Sequence, residues 1–138
     1  MATILAHIRV KPGMEQTFEQ LAASLYRDSH ARDPGVHRYE YWRGQDERTY
    51  YTLLAFEDYG AFITHQSSDH HEAATPALRD AVEELRLEWV DPLPDASPLP
   101  PTAAGPLADG AGPLAVTQAG RFPAGVASWW AGVGERRS

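Results

Sequence analysis

Residues 36–56, VHRYEYWRGQDERTYYTLLAF, decide the fold of this chain because they predict two antiparallel strands joined by a short turn. The first strand is predicted at 36–43. The second, at 49–56, is rich in β-branched and aromatic side chains, which are typical of strands. The polar segment GQDE at 44–47 separates them and predicts a hairpin. In the first strand one face carries His37, Tyr39 and Tyr41, and the other carries Val36, Arg38, Glu40 and Trp42.

Upstream of the hairpin, residues 2–10, ATILAHIRV, alternate with the period of a half-buried strand. Lys11-Pro12-Gly13 ends that strand, because proline lacks a backbone donor and glycine permits a turn. Apolar residues then recur at three- and four-residue spacing from Glu15 to about His30, which predicts an amphipathic helix. Asp33-Pro34-Gly35 ends the helix and leads into the hairpin.

Downstream of the hairpin, the segment FEDYGAFITHQSSDHHE at 56–72 predicts a short helix with Asp58 as its N-cap. Pro76 is expected in the first turn of another helix, whose apolar spacing continues to Leu85. Residues 85–91, LRLEWVD, change to the period of a strand. The chain therefore has the order βαββαβ with a divided second helix.

This order predicts an α+β domain at residues 1–93 with a ferredoxin-like antiparallel sheet and its helices on one face. The strands carry large apolar side chains on both sides, so the other face of the sheet should not be polar. A second copy of the chain, packed sheet against sheet, is the simplest cover. We therefore expect a homodimer.

Residues 94–138 have a different composition, rich in Pro, Gly and Ala and without a regular period. They predict an irregular C-terminal extension rather than a second domain. Phe122, Trp129 and Trp130 are more apolar than a solvated tail requires, which favours docking, and the partner subunit is one expected location. A mobile extension with an apolar end is the alternative.

Charge and cysteine content exclude several classes of function. The formal net charge is -7, with 19 acidic and 12 basic residues, so nucleic acid and anionic membranes are not expected partners. The chain has no cysteine, which excludes disulfides and thiolate chemistry. The N-terminus lacks the pattern of a signal peptide, and no apolar run is long enough to span a membrane. We therefore expect a cytoplasmic protein.

Three of the six histidines, His65, His70 and His71, lie in the segment after the hairpin. Imidazole exchanges protons near neutral pH, so histidines beside aromatic residues could perform acid–base catalysis. Alternatively, His65 packs near a helix end and the others form a solvated face. His65 and Asp69 would share a helix face and could bind a metal, but adjacent histidines point about 100° apart on a helix. We predict no metal site.

Residues 2–93 resemble the antibiotic biosynthesis monooxygenase family of dimeric α/β-barrel proteins, which includes small quinol monooxygenases. The resemblance rests on ILAHIRVKPG at 4–13, Pro34-Gly35 followed by Tyr39, YYTLLAFED at 50–58, and His65 followed by His70. Haem-degrading members of the wider superfamily have an arrangement of Asn, Trp and His. This chain contains no asparagine, so haem degradation is not expected.

The resemblance implies a cofactor-independent monooxygenase that oxidises a small aromatic quinol, phenol or polyketide-like substrate with O2. It implies catalytic roles for His65 and His70, in a cavity between the sheet and its helices and without a cofactor. An isomerase with the same histidines, or a non-catalytic ligand-binding or regulatory dimer, are the alternatives. The residues expected to bind the substrate are Tyr39, Tyr51, Phe56, Phe62 and Trp89.

Overall fold

The structure is a computed structural model that describes residues 1–131. From β1 to β4 the chain follows the predicted order βαββαβ, with the second helical segment divided in two. The elements are β1 (Ala2–Val10), α1 (Glu15–Arg32), β2 (Val36–Arg43), β3 (Thr49–Phe56), α2 (Tyr59–Gln66), α3 (Asp69–Ala81), β4 (Val82–Trp89) and α4 (Pro113–Arg121).

The four strands form one antiparallel sheet with the order β2-β3-β1-β4. This is the strand order of a ferredoxin-like fold, so the predicted α+β class is confirmed. The inner face of β1 contributes Ile4 and Ile8 to the core, and Phe18 and Leu25 from α1 pack over them. The core therefore lies between the sheet and the helices on one of its faces.

The boundary between α3 and β4 differs from the prediction, which extended the helix to Leu85. In the structure Val82 already pairs with Val10, and the Lys11 N–H donates to the Ala81 carbonyl oxygen at 2.8 Å. Val82 and Leu85 fit either period by sequence alone. Their strand conformation follows from pairing with β1, because that ladder satisfies the backbone groups along one edge of β4.

The prediction that Pro76 begins a separate helix is also wrong. The helix α3 begins at Asp69, because Ser68 is its N-cap and its hydroxyl oxygen accepts the His71 N–H at 3.3 Å. Pro76 consequently lies in the helix interior, where it removes one backbone hydrogen bond. The divided second helix is confirmed, but the division falls at Ser67 and Ser68.

The outer face of the sheet, opposite the helices, is only partly apolar. Leu5, Leu53 and the ring of Tyr51 lie at its centre, and Trp42 beside them is 59% exposed. The flanks are charged, so our expectation of an apolar face holds for the middle strands and fails at the edges. An irregularity in the register between Val36 and Arg38 also brings Val36 against the core, contrary to prediction. The outward residues of β4 are Glu84, Arg86 and Glu88.

The C-terminal extension lacks regular structure over most of its described length, but it contains the helix α4, which we did not predict. The extension packs against the domain of its own chain. The Thr102 hydroxyl donates to the Val90 carbonyl oxygen at 2.7 Å, and α4 packs against α2. Of the expected anchors, Phe122 packs against the core, while Trp129 is 64% exposed. Docking on a partner subunit stays a prediction, and residues 132–138 lie outside the described part of the chain.

In residues 1–131 we find no helix with the length and apolar character that a bilayer span requires.

Candidate active site

The C-terminal end of α1 places the carboxylate of Asp33 next to α2 and α3. Asp33 is the C-cap of α1; it adopts an extended conformation and its N–H donates to the Ser29 carbonyl oxygen at 3.0 Å. Pro34 disfavours a helical conformation for the residue before it, so the helix stops there. Gly35 follows with φ of +73°, a conformation that glycine adopts without strain. This turn directs the Asp33 side chain toward α2 and α3.

Two capping residues fix the histidines opposite Asp33. The Asp58 carboxylate accepts the Ala61 N–H at 2.8 Å, as predicted, and so begins α2. His65 lies in the last turn of that helix. Ser68 begins α3 and thereby places His70 in its first turn. The two histidines therefore belong to different helices that converge on one carboxylate.

Asp33, His65 and His70 form a buried hydrogen-bonded triad. The His65 Nδ1 and Asp33 Oδ2 atoms are 2.6 Å apart, and the His70 Nε2 atom is 3.1 Å from the same oxygen. The exposed fractions of the three side chains are only 3%, 1% and 6%, in that order. Ser29 is also fully buried, and its hydroxyl lies 3.4 Å from His65 Nδ1. Such short contacts away from water fix the orientation of the His65 ring.

The pKa shifts indicate where the protons are. Burial alone would raise the pKa of Asp33, but the hydrogen bonds from His65 and His70 outweigh it and hold that pKa below its usual value. Burial lowers the pKa of His65, and the attraction of Asp33 offsets this only in part. At neutral pH Asp33 is therefore ionised and His65 neutral. An ionised carboxylate only accepts hydrogen bonds, so His65 donates through Nδ1 and its Nε2 carries the lone pair.

The His65 ring packs among aromatic side chains. Its centroid lies 4.9 Å from that of Tyr39 and 5.1 Å from that of Phe56. The Tyr39 and Tyr41 hydroxyls are hydrogen-bonded at 2.7 Å. Burial raises the pKa of Tyr39 well above its usual value and that of Tyr41 to about 12, so both remain protonated at neutral pH. One hydroxyl of this pair keeps a proton that it can donate elsewhere.

A cavity of approximately 490 Å³ lies between the inner face of the sheet and the helices. This volume lies in the range of small-molecule sites. His65, Tyr39 and Tyr41 line it, together with aliphatic side chains from β1, β3 and β4. His71 lines it as well, and burial lowers the pKa of His71 to about 4, so its ring is neutral. The cavity therefore combines an apolar wall with two neutral imidazoles, those of His65 and His71.

The other predicted site residues lie in different places, and not all of them are near the cavity. His70 lies behind His65 against Asp33, outside the cavity lining. Phe56 is fully buried against His65. Phe62 and Trp89 line an adjoining cavity of approximately 340 Å³, which shares four lining residues with the first: Leu85, Leu87, Arg121 and Phe122. Tyr51 is on the outer face of the sheet, where its ring contacts that of His7, so it is not brought to the cavity.

Asp33, His65 and His70 also have the atom types of a metal site, with ligand atoms within 4.8 Å of one another. Asp69 is not part of this group: it is exposed and lies on a different helix from His65, contrary to the shared face that we considered. Two ligands of a tetrahedral zinc ion are separated by about 3.3 Å, given bonds of about 2.0 Å. The 2.6 Å contact of His65 with Asp33 is shorter and has the length of a strong hydrogen bond. The geometry therefore fits a proton-holding triad better than a metal site.

Sequence reasoning missed Asp33, which we interpreted only as part of a helix stop. One signal was present: an acidic residue at a helix C-terminus is unfavourable for the helix dipole and therefore requires another reason. It also missed Gln118 and Arg121, which line the cavity from α4. No periodic pattern in the extension indicated these two residues.

Comparison with known families agrees with this fold. The profile of the family "Antibiotic biosynthesis monooxygenase" matches residues 1–77. That is more than half of the 138-residue chain, and the chain belongs to this family. A search among curated proteins found no significant match.

Solved structures show the same fold. A candidate antibiotic biosynthesis monooxygenase from Caulobacter crescentus is 23% identical, with a TM-score of 0.63 over 67% of this chain and 89% of its own. One from Nitrosomonas europaea is 17% identical, with a TM-score of 0.63 over 67% and 99%. A protein from Shewanella oneidensis is 26% identical, with a TM-score of 0.60 over 64% and 87%. The shared fold thus accounts for about two thirds of this chain.

Proposed function

We propose that this protein is a cofactor-independent monooxygenase that oxidises a small aromatic quinol or phenol with O2. The observation that supports this most directly is that His65, in the wall of an apolar cavity, is hydrogen-bonded to Asp33 behind it. Asp33 holds His65 in the tautomer whose Nε2 is basic. An oriented, neutral imidazole in a cavity of this size is suited to remove the proton of a phenol.

In the proposed mechanism His65 Nε2 removes the phenolic proton. The resulting phenolate is rich enough in electrons to reduce O2, and the two join as a peroxide at a ring carbon that bears hydrogen. Loss of the remaining proton from that carbon breaks the O–O bond. One oxygen atom stays as a new carbonyl group, and the other leaves as water. The substrate supplies all four electrons that reduce O2 to the carbonyl oxygen and water, and the two protons of the water come from the hydroxyl, through His65, and from the ring carbon. The reaction therefore balances without a redox cofactor.

The tyrosine pair supports the anionic stages. A hydroxyl of Tyr39 or Tyr41 that is not used within the pair can donate to the phenolate oxygen or to the peroxide. The raised pKa values keep both groups protonated while they donate. Phe56 packs against the His65 ring and restricts its rotation. Phe62 and Trp89 extend the aromatic wall into the adjoining cavity. His70 positions the base by binding Asp33 rather than by touching the substrate.

The outer face of the sheet supports assembly as a homodimer. Trp42 is 59% exposed beside the apolar centre of that face, and exposure of a large aromatic side chain is typical of an interface. The charged flanks suit a polar rim. We expect Trp42→Glu to shift the protein from dimer to monomer in light scattering. An unchanged mass would place any dimer interface elsewhere.

The central test is oxygen uptake with hydroquinones and anthrones, without added cofactor. We expect uptake by the wild-type protein and a fall of about a hundredfold or more in His65→Ala, which loses the base. His70→Ala should lower turnover less, because the Asp33–His65 contact survives. His37→Ala, at an exposed position, is the control.

Wild-type rates in both His65→Ala and His70→Ala would contradict the catalytic role of the two histidines. Tight binding across the panel without oxygen uptake would favour a non-catalytic ligand-binding dimer. Substrate rearrangement without oxygen uptake would favour an isomerase.

A further inference from the structure

The C-terminal extension is additional to the fold shared with the solved structures. Those structures match about two thirds of this chain but 87% to 99% of their own length. Residues Ala2–Trp89, from β1 to β4, account for a share of that size. The helix α4 and its C-cap Phe122 lie beyond them, yet Gln118 and Arg121 of the helix and Phe122 line the cavity. This chain therefore has a cavity wall that the shared fold does not provide.

A buried polar contact holds this wall in place. Gln118 is 4% exposed, and its Nε2 donates to the Gln66 carbonyl oxygen at 3.2 Å and to the Glu72 carboxylate at 3.0 Å. Both partners are acceptors, so the orientation of the amide is determined. The Tyr59 hydroxyl donates to the Phe122 carbonyl oxygen at 2.8 Å and fixes the end of α4. The position of the helix is thus specific.

The charges around the cavity favour an anionic ligand group. Two acidic residues line it: Glu72 accepts from Gln118, and Glu83 forms salt bridges with Arg9 and Arg48. Within residues 1–131, Arg79 and Arg121 line the same cavity and form no salt bridge. Arg121 also lines the adjoining cavity of Phe62 and Trp89. A ligand carboxylate would pair with the guanidinium groups that the protein leaves unpaired.

We propose that Arg121 of the extension is a specificity-determining residue that selects aromatic ligands bearing a carboxylate, with Arg79 as a second cation at the same cavity. The inference rests on the proposed function only in taking this cavity as the ligand site. Arg121 takes part in no catalytic step. Its role is to bind the acid group while His65 acts on the phenolic hydroxyl.

The test compares 1,4-dihydroxy-2-naphthoate with 1,4-dihydroxynaphthalene, which differ only by the carboxylate. Their dissociation constants are measured without oxygen by calorimetry, on the full-length protein. We expect the wild-type protein to bind the acid about five- to tenfold more tightly, as for one partly exposed charged hydrogen bond. In Arg121→Gln that preference should fall toward one, with little change for the neutral diol. Arg27→Gln removes the same charge from an exposed site on α1 and should retain the preference.

Equal binding of the two probes by the wild-type protein would overturn the proposal, as would a full preference in Arg121→Gln or an equal loss in Arg27→Gln. Failure of any binding by either probe would overturn it too. Oxygen uptake, measured separately, distinguishes the two proposals. Preference without uptake would refute the monooxygenase and keep the role of Arg121; uptake without preference would do the reverse.

Discussion

Acid should destabilise this protein through His71, and His71→Gln should remove that part of the effect. Burial lowers the pKa of His71 to about 4 in the folded chain, whereas an unfolded chain has a value of 6.5. Between these values the unfolded state binds more protons, so the free energy of unfolding falls as the pH falls from 6.5 toward 4. The full difference corresponds to about 3 kcal/mol, of which about 2 kcal/mol is lost between pH 7 and pH 5.

The other titrating groups of the site do not obscure this difference. His65 also has a lowered pKa, so it adds a loss of the same sign in both proteins. The lowered pKa of Asp33 gives stability that is present above 3.8 and is lost only as the pH falls through the lower folded value, below the measured window. Replacement of His71 by Gln breaks no side-chain hydrogen bond of Nδ1, which has none among residues 1–131.

The assay is urea unfolding followed by tryptophan fluorescence at pH 7, 6 and 5, at one protein concentration. We expect the loss between pH 7 and pH 5 to be smaller by about 2 kcal/mol in His71→Gln than in the wild-type protein. His37→Gln, at an exposed site, should behave as the wild-type protein does. The reasoning is refuted if His71→Gln and the wild-type protein lose the same free energy over this range.

Three further predictions concern the base and the extension. Asp33→Asn should lower turnover about a hundredfold with binding retained, because its amide NH2 can donate to His65 Nδ1 and favour the tautomer whose Nε2 is protonated; an unchanged rate would contradict the triad. Gly60→Ala should expose the extension to proteolysis, because the new Cβ would lie 2.9 Å from the Pro106 oxygen and the Ala108 nitrogen, whereas Gly120→Ala meets nothing within 4 Å and is the control. Equal digestion of the two variants would show that this contact does not hold the extension. Truncation after Asp95 should leave a folded domain that binds ligands more weakly; unchanged melting, dimer dissociation and turnover would make residues 96–138 dispensable.

The sequence by itself determined the bounds of three of the four strands and the order of the elements along the chain. Alternation over residues 2–10 and 36–43, and the β-branched and aromatic content of residues 49–56, predicted β1, β2 and β3 with the bounds that the structure has. Such patterns are local, since a strand with one buried face must alternate. The stop at Asp33-Pro34-Gly35 and the cap at Asp58 were also predictable, because both act within a few residues.

Only the tertiary structure decided which residues form the site. Asp33 and His65 are 32 positions apart, and their contact depends on how α1 and α2 pack on the sheet. The sequence placed His65 and His70 together but could not show that one faces the cavity and the other supports Asp33. Helical and strand periods coincide at Val82, so pairing with β1 decided its conformation. The position of α4 depends on Gln118 meeting two acceptors from other helices, and a contact of that kind leaves no periodic signal in a sequence.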